Sequence, residues 1–165
     1  MPASMLVFCA IIGNNFELSN KYENEACSYV PTIIAEAENN DIEPELLIAL
    51  IMVESGFQRK AVSPKGACGL TQVMPRYSAG YKNRFGKKLK CKDLLDPKVS
   101  IKRGAKILAW WIKYHKGNVS KALCGYNAGF RCKVTKNREK PHKAGMRYSR
   151  KVLKYKRVLD KEKGC

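Results

Sequence analysis

The 165-residue sequence predicts a single α+β domain, predominantly helical, with one small loop or β region set between its helices. Three observations carry that prediction. An apolar run, Leu46 to Val53, follows Pro44 and has hardly a polar face. Apolar residues then recur at helical spacing, first at Val99, Ile107, Leu108, Trp111 and Ile112, and later at Tyr148, Val152, Tyr155 and Leu159. Between the first run and the second, residues 57–97 carry scattered Gly, Pro and Lys without a sustained period, room for short helices or a small hairpin. The length suffices to bury one core without metal support.

Taken in order, residues 1–28 read as a lead-in and residues 29–165 as the domain proper. The run Met5 to Ile12 has two readings. It is as long as a short secretory apolar segment, though no basic stretch precedes it, and it equally suits an apolar strand or helix packed on the domain. Residues 13–30 are polar and acidic, which predicts a mobile connection. Tyr29 to Glu38 reads as a first short helix with Pro31 in its first turn, broken by Asn39-Asn40-Asp41. Pro44 suits the first turn of the next helix, where a missing N–H costs nothing, and Gly56 suits its C-terminal stop. A longer helix begins at Asp96-Pro97 and ends near His115-Lys116-Gly117. Asn118 caps a helix from Val119 to about Cys124, leading into Gly125-Tyr126-Asn127-Ala128-Gly129. Residues 130–145 are basic and turn-like, and a final amphipathic helix carries Tyr148 to Leu159. No stretch has the roughly 18–20 apolar residues of a membrane-spanning helix.

The formal charge of +18 is unevenly placed. Residues 1–54 hold nine of the 14 acids and a single base, Lys21, whereas the rest carries 31 bases against five acids. Such a surface attracts polyanions: nucleic acid, anionic lipid headgroups or an acidic wall polymer. Seven cysteines are present, and loss of a leader carrying Cys9 would leave six: Cys27, Cys68, Cys91, Cys124, Cys132 and Cys165. An even, scattered set suits disulfides in an oxidising compartment, with the pairing open. No Cys-x-x-Cys pair exists and the two histidines, His115 and His142, lie far apart in sequence, so no zinc site and no cofactor is expected.

Glu54 ends the apolar helix. Low polarity and the negative end of a helix dipole both raise a carboxyl's pKa, while downstream cations, screened over about 8–10 Å, act weakly the other way. A carboxyl kept protonated there could act as a general acid toward a glycosidic oxygen. Glycoside hydrolysis normally takes two carboxylates. The acids after Glu54 are Asp93, Asp96, Glu139, Asp160 and Glu162, and none sits in the Gly-rich loop or the Tyr-Asn-Ala-Gly segment. The substrate itself, or a weakly activated water, must then do the second carboxylate's work.

Three linked segments, Glu54-Ser55-Gly56-Phe57, Ala61 to Pro75 with its Gly66, Gly69, Leu70, Gln72 and Met74, and Gly125-Tyr126-Asn127-Ala128-Gly129, resemble the soluble lytic transglycosylase (SLT) family. The likeness covers roughly residues 31–160. It implies a lysozyme-like fold and cleavage of the β-1,4 bond between N-acetylmuramic acid and N-acetylglucosamine in peptidoglycan, with closure of a 1,6-anhydro ring. It implies Glu54 as the lone acid and base, with Ser63 and Gln72 holding the N-acetyl group and polar face of the sugar. By the same likeness Met74 is an apolar contact beside the acid, Tyr126 a hydroxyl that orients it, and Asn127 a member of the same motif. Tyr148 matches the tyrosine of a late family motif. Two departures stand out there: Ala144-Gly145 replace a Glu-Thr pair, and Ser149 replaces a valine, so the family's second glutamate is absent. For Met74 and Tyr126 plain core packing is the competing reading.

Three functions compete on these residues: a transglycosylase of the cell wall, a goose-type lysozyme-like hydrolase on the same scaffold, and a cationic protein binding nucleic acid or wall without catalysis. Residues 131–163, with 14 bases against three acids, motivate the last, but no nucleic-acid motif accompanies them. The expected partners are peptidoglycan strands and anionic wall polymers, met by a monomer. The expected location is secreted or periplasmic, with a phage virion or lysis protein as a further source.

Overall fold

The computed structural model describes residues 3–135 and 139–163, with side chains from Leu6 onward. Seven helices form it: α1 (Ala3–Asn15), α2 (Asn20–Glu38), α3 (Pro44–Ser55), α4 (Cys91–Leu94), α5 (Pro97–Tyr114), α6 (Val119–Ala128) and α7 (Lys143–Lys163). The centre is α3, where Leu46, Leu47, Ile48, Ala49, Leu50 and Ile51 are all buried, as a helix apolar all round must be. Helix α7 packs antiparallel to it, with Val152 and Leu159 inward. Lys163 bonds Glu45 at the start of α3 and Lys156 lies 2.6 Å from Glu43, while Tyr148, near the other end of α7, meets Glu54 at the end of α3. Helices α5 and α6 pack on each other with α6 against α7, and α2 bridges α3 and α5. At Gly125 the Trp111 ring fills the space of a side chain, since a Cβ there would lie 2.4 Å from it.

The N-terminal third differs from the expected mobile connection. Residues 13–30 are mostly helical, and α2 runs unbroken from Asn20, which places Pro31 in its interior rather than its first turn. The apolar contacts were hard to see because small residues make them: Ala26, Val30, Ile33 and Ala37, spaced four, three and four, form the buried stripe. Pro31 has no N–H to offer the Cys27 carbonyl, a local loss that the packing of α2 outweighs. Helix α1 lies against α2 and α7, with Phe8, Ile11, Ile12 and Phe16 buried and the Phe16 ring edge-on to Tyr155 at 5.1 Å. Helix α6 is likewise longer than expected. It continues through Gly125, Tyr126 and Asn127 to Ala128.

The predominantly helical expectation holds, while the β part of the α+β class is slight. Among the described residues no strand forms, and the expected β region reduces to isolated antiparallel bridges, Val62 to Cys68 and Cys68 to Val73. Gly66, Gly69 and Gln72 all take positive φ there, so the segment turns too often to extend a ladder. The rest of residues 57–97 holds two short 3-10 turns, Pro75–Tyr77 and Tyr81–Asn83, and α4. Cross-links replace the missing ladder. Cys68 is bonded to Cys91, Thr71 Oγ1 donates to the Ser100 carbonyl at 2.8 Å, and the buried Arg103 guanidinium donates to the carbonyls of Ser78 and Lys87. A second disulfide joins Cys124 to Cys132. Cys9 and Cys27 are not bonded, and Cys165 lies outside the described residues.

Gly69 has φ +78°, and a Cβ on it would fall 1.9 Å from the Leu94 carbonyl oxygen. Gly69→Ala therefore meets both a conformational and a steric penalty, and urea unfolding should show a loss of about 3 kcal/mol or more.

Candidate active site

Local sequence fixes where Glu54 stands. Asn and Gly are absent from α3, so the helix runs without a break to Ser55, and Gly56 (φ +55°) stops it while donating its N–H to the Met52 carbonyl. Phe57 follows at φ +62° with its ring wholly buried, which turns the chain sharply away from the acid. Ser55 Oγ donates to the Leu70 carbonyl at 2.8 Å, tying the helix end to the Gly-rich loop. Glu54 is left partly buried at the junction of α3, α6 and α7.

The Tyr148 hydroxyl donates to Glu54 Oε1 at 2.6 Å. Burial raises the Glu54 carboxyl to about 7, with the Tyr148 hydrogen bond acting downward against it. Burial also raises both tyrosines well above their ordinary value, and the Glu54 charge adds to this in each. Tyr126 and Tyr148 therefore stay protonated as donors. Tyr126 does not bond the acid, contrary to the expected role. Its hydroxyl donates to the Thr71 carbonyl at 2.8 Å, so it holds the loop while Tyr148 holds the acid. Thr71 is buried and its N–H donates to Ser100 Oγ at 3.1 Å, which seats the loop on α5. Gly104 makes room, since a Cβ there would lie 2.5 Å from Thr71.

The remaining residues singled out in the sequence make local contacts of their own. Ser63 Oγ accepts from the Ala67 N–H at 3.0 Å, closing the turn at Pro64. The Gln72 side chain, on a backbone at φ +49°, donates to the carbonyls of Ala61 and Gly69. Met74 is half-buried ahead of the 3-10 turn, with an Arg76 nitrogen 3.9 Å from its sulfur, and Asn127 is exposed on α6. Ser55, Thr71 and Ser100 were not picked out in the sequence as site residues. Only the contact between the loop and two distant helices gives them their role.

The other carboxylates have separate positions and duties. Asp93 accepts from the Lys90 N–H and Asp96 from the Val99 N–H, each capping a helix. Asp160 pairs with Lys156. Glu45 and Glu43 sit at the far end of α3, about 14 Å and about 17 Å along the axis from Glu54 at ~1.5 Å per residue. Both exceed the roughly 5–9.5 Å separating paired glycosidase carboxyls.

The replaced Ala144-Gly145 pair has a steric setting. Gly145 lies against the second disulfide, where a Cβ would be 2.6 Å from Cys124 Sγ and 3.0 Å from Cys132 Sγ. Ser149, the other departure, is buried and donates to the Ser120 carbonyl at 2.8 Å, joining α7 to α6.

A family model for the transglycosylase SLT domain matches residues 31–148. A membrane-bound lytic murein transglycosylase C of Actinobacillus pleuropneumoniae is 43% identical over 54 residues, 33% of this chain and 15% of that protein. Its namesake from Yersinia enterocolitica is 30% identical over 124 residues, covering 67% of this chain and 34% of the relative. The chain thus spans about a third or less of these relatives' length. Among solved structures, an inactive mutant of the lytic transglycosylase Slt from Pseudomonas aeruginosa superposes with a TM-score of 0.72 at 25% identity. That superposition covers 98% of this chain and 29% of the other. A complex of a 70-kDa soluble lytic transglycosylase with bulgecin A gives a TM-score of 0.73 at 23% identity, covering 87% of this chain and 26% of that one, a likeness of fold.

The raised carboxyl has a stability consequence. The folded chain keeps the Glu54 proton to about pH 7, whereas the unfolded chain releases it near 4.5. The group favours folding most below pH 4.5, and that contribution is lost as pH rises through 7. Glu54→Gln should match the parent at pH 4 and exceed it above pH 7 by about 2 kcal/mol, allowing for partial solvent screening. Tyr148→Phe removes a donor to the charged form, so carboxyl titration followed by NMR should move Glu54 further upward.

Proposed function

The chain belongs to the transglycosylase SLT domain family, and from that premise we propose that it cleaves the β-1,4 bond between N-acetylmuramic acid and N-acetylglucosamine in peptidoglycan, with Glu54 as its only acid and base. One observation carries the reading: a single carboxyl, raised to about 7 and held by Tyr148, with the nearest acids along its own helix a full helix length away.

Protonated Glu54 gives its proton to the glycosidic oxygen as the C1–O bond breaks. The resulting carboxylate, steadied by the Tyr148 hydroxyl, then takes the proton of the muramyl C6 hydroxyl. That oxygen attacks C1 and closes a 1,6-anhydro ring, and Glu54 ends as it began. The step needs no second carboxylate and consumes no water. Ser63 and Gln72 fix the edge of the loop that meets the N-acetyl group and polar face of the sugar. Met74 supplies an apolar contact, Tyr126 keeps the Thr71 carbonyl in place, and Asn127, exposed on α6, is a further polar group for the sugar. The cationic surface, with Lys143, Arg147, Arg150, Lys154 and Arg157 all exposed along α7, holds the enzyme on anionic wall polymers. Among the described residues no helix is long and apolar enough to cross a membrane. The two disulfides and the substrate both fit a periplasmic or secreted setting.

Mass analysis of products from purified peptidoglycan tests the reaction. The expected muropeptides are lighter by one water than reducing-end products, whereas reducing ends would assign a goose-type lysozyme-like hydrolase instead. Glu54→Gln should cut turnover at least about a thousandfold with wall binding kept. The pH profile of kcat/KM should fall above pH 7, where the acid loses its proton.

A further inference from the structure

Helices α1 and α2 follow one another through a tight turn at Phe16–Ser19 and pack together as an antiparallel pair. The Glu23 side chain of α2 lies over Gly13 of α1, where a Cβ would be 2.3 Å from its Oε1. On antiparallel helices a contact between residues 13 and 23 puts the residues one turn back on α1 and one turn on along α2 opposite each other. Those positions are 9 and 27, and both are cysteines. The Cys9 sulfur is an electrostatic neighbour of Cys27, both are partly buried, and neither is disulfide-bonded. The chain already carries Cys68–Cys91 and Cys124–Cys132, so the conditions that mature it oxidise paired thiols.

We infer that Cys9 and Cys27 form a third disulfide, which fastens α1 to α2 and makes residues 3–15 a permanent part of the folded domain. Two S–H bonds break and one S–S bond forms. The two protons and two electrons pass to a disulfide donor, which leaves as two thiols by exchange through a mixed disulfide. The bond closes an 18-residue stretch containing the α1–α2 turn, and it clamps the side of the core where Phe8 and Phe16 meet α7. Burial, with the Cys9 sulfur beside it, pushes the Cys27 thiol up to about 12, so in the reduced chain Cys27 is a slow nucleophile. Three bridges use six of the seven cysteines and leave Cys165 over.

The full chain, oxidised with glutathione disulfide as the donor, is alkylated under denaturing, non-reducing conditions, digested and mapped by mass spectrometry. The expected result is a cross-linked pair of peptides containing Cys9 and Cys27, with alkylation confined to Cys165. A Cys27–Cys165 link, or alkylated Cys9 and Cys27, overturns the inference, and so does a mature chain from its host that begins after Cys9. Under oxidising conditions Cys9→Ser and Cys27→Ser should each lower Tm by about 5 °C or more. Melting of either variant at the parent's temperature counts against the bond. Neither readout involves Glu54, so the result stands apart from the proposed reaction.

Discussion

A carboxyl at the end of an apolar helix has lost most of its water, and the single hydrogen bond from Tyr148 is what remains to steady its charge. That contact sets the demands on the rest of the fold. It needs α3 and α7 in one antiparallel register, and the ion pairs of Lys156 and Lys163 with Glu43 and Glu45 fix the same register at the opposite end. Exposed pairs of this kind contribute little stability, but Glu45 is itself buried, and leaving it unpaired would be costly. The two helices are thus pinned at both ends, polar contact at each, apolar packing between.

The second demand falls on the loop. A segment rich in Gly and Pro has no ladder of its own, so its shape is imposed from outside. Ser55 reaches it from α3, Ser100 from α5, Tyr126 from α6, and Cys91 closes it covalently. Each anchor comes from a different element, which explains why positive φ values at Gly69 and Gln72 are sustained. The loop's geometry is therefore a readout of how four helices pack.

Much of this was legible along the chain. Helix α3 announced itself because eight consecutive apolar residues have no other home, and Pro44 and Gly56 marked its ends. The position of Glu54 at the end of that helix was legible too, since Gly56 marks the stop just beyond it. The length of α2 was not, because alanines at 26 and 37 bury well yet carry little apolar signal, and because Pro31 looks like a beginning. That the Tyr148 hydroxyl, and not that of Tyr126, bonds Glu54 was not legible either. Both lie on apolar stripes, and which hydroxyl reaches the acid depends on helix orientation, a tertiary fact. A hairpin was allowed in residues 57–97 by composition, and only the backbone angles rule out its growth.

Gly145 and the cystine at 124 and 132 share one small volume, and only one tenant fits. A side chain at this point of α7 leaves no space for the bridge, and with the bridge in place no point mutation at residue 145 alone can add one. The swap must therefore travel as a set: two sulfurs gained together with a bare backbone facing them. The covalent closure after α6 and the side-chain-free face of α7 opposite it are thus one feature, and neither can change without the other.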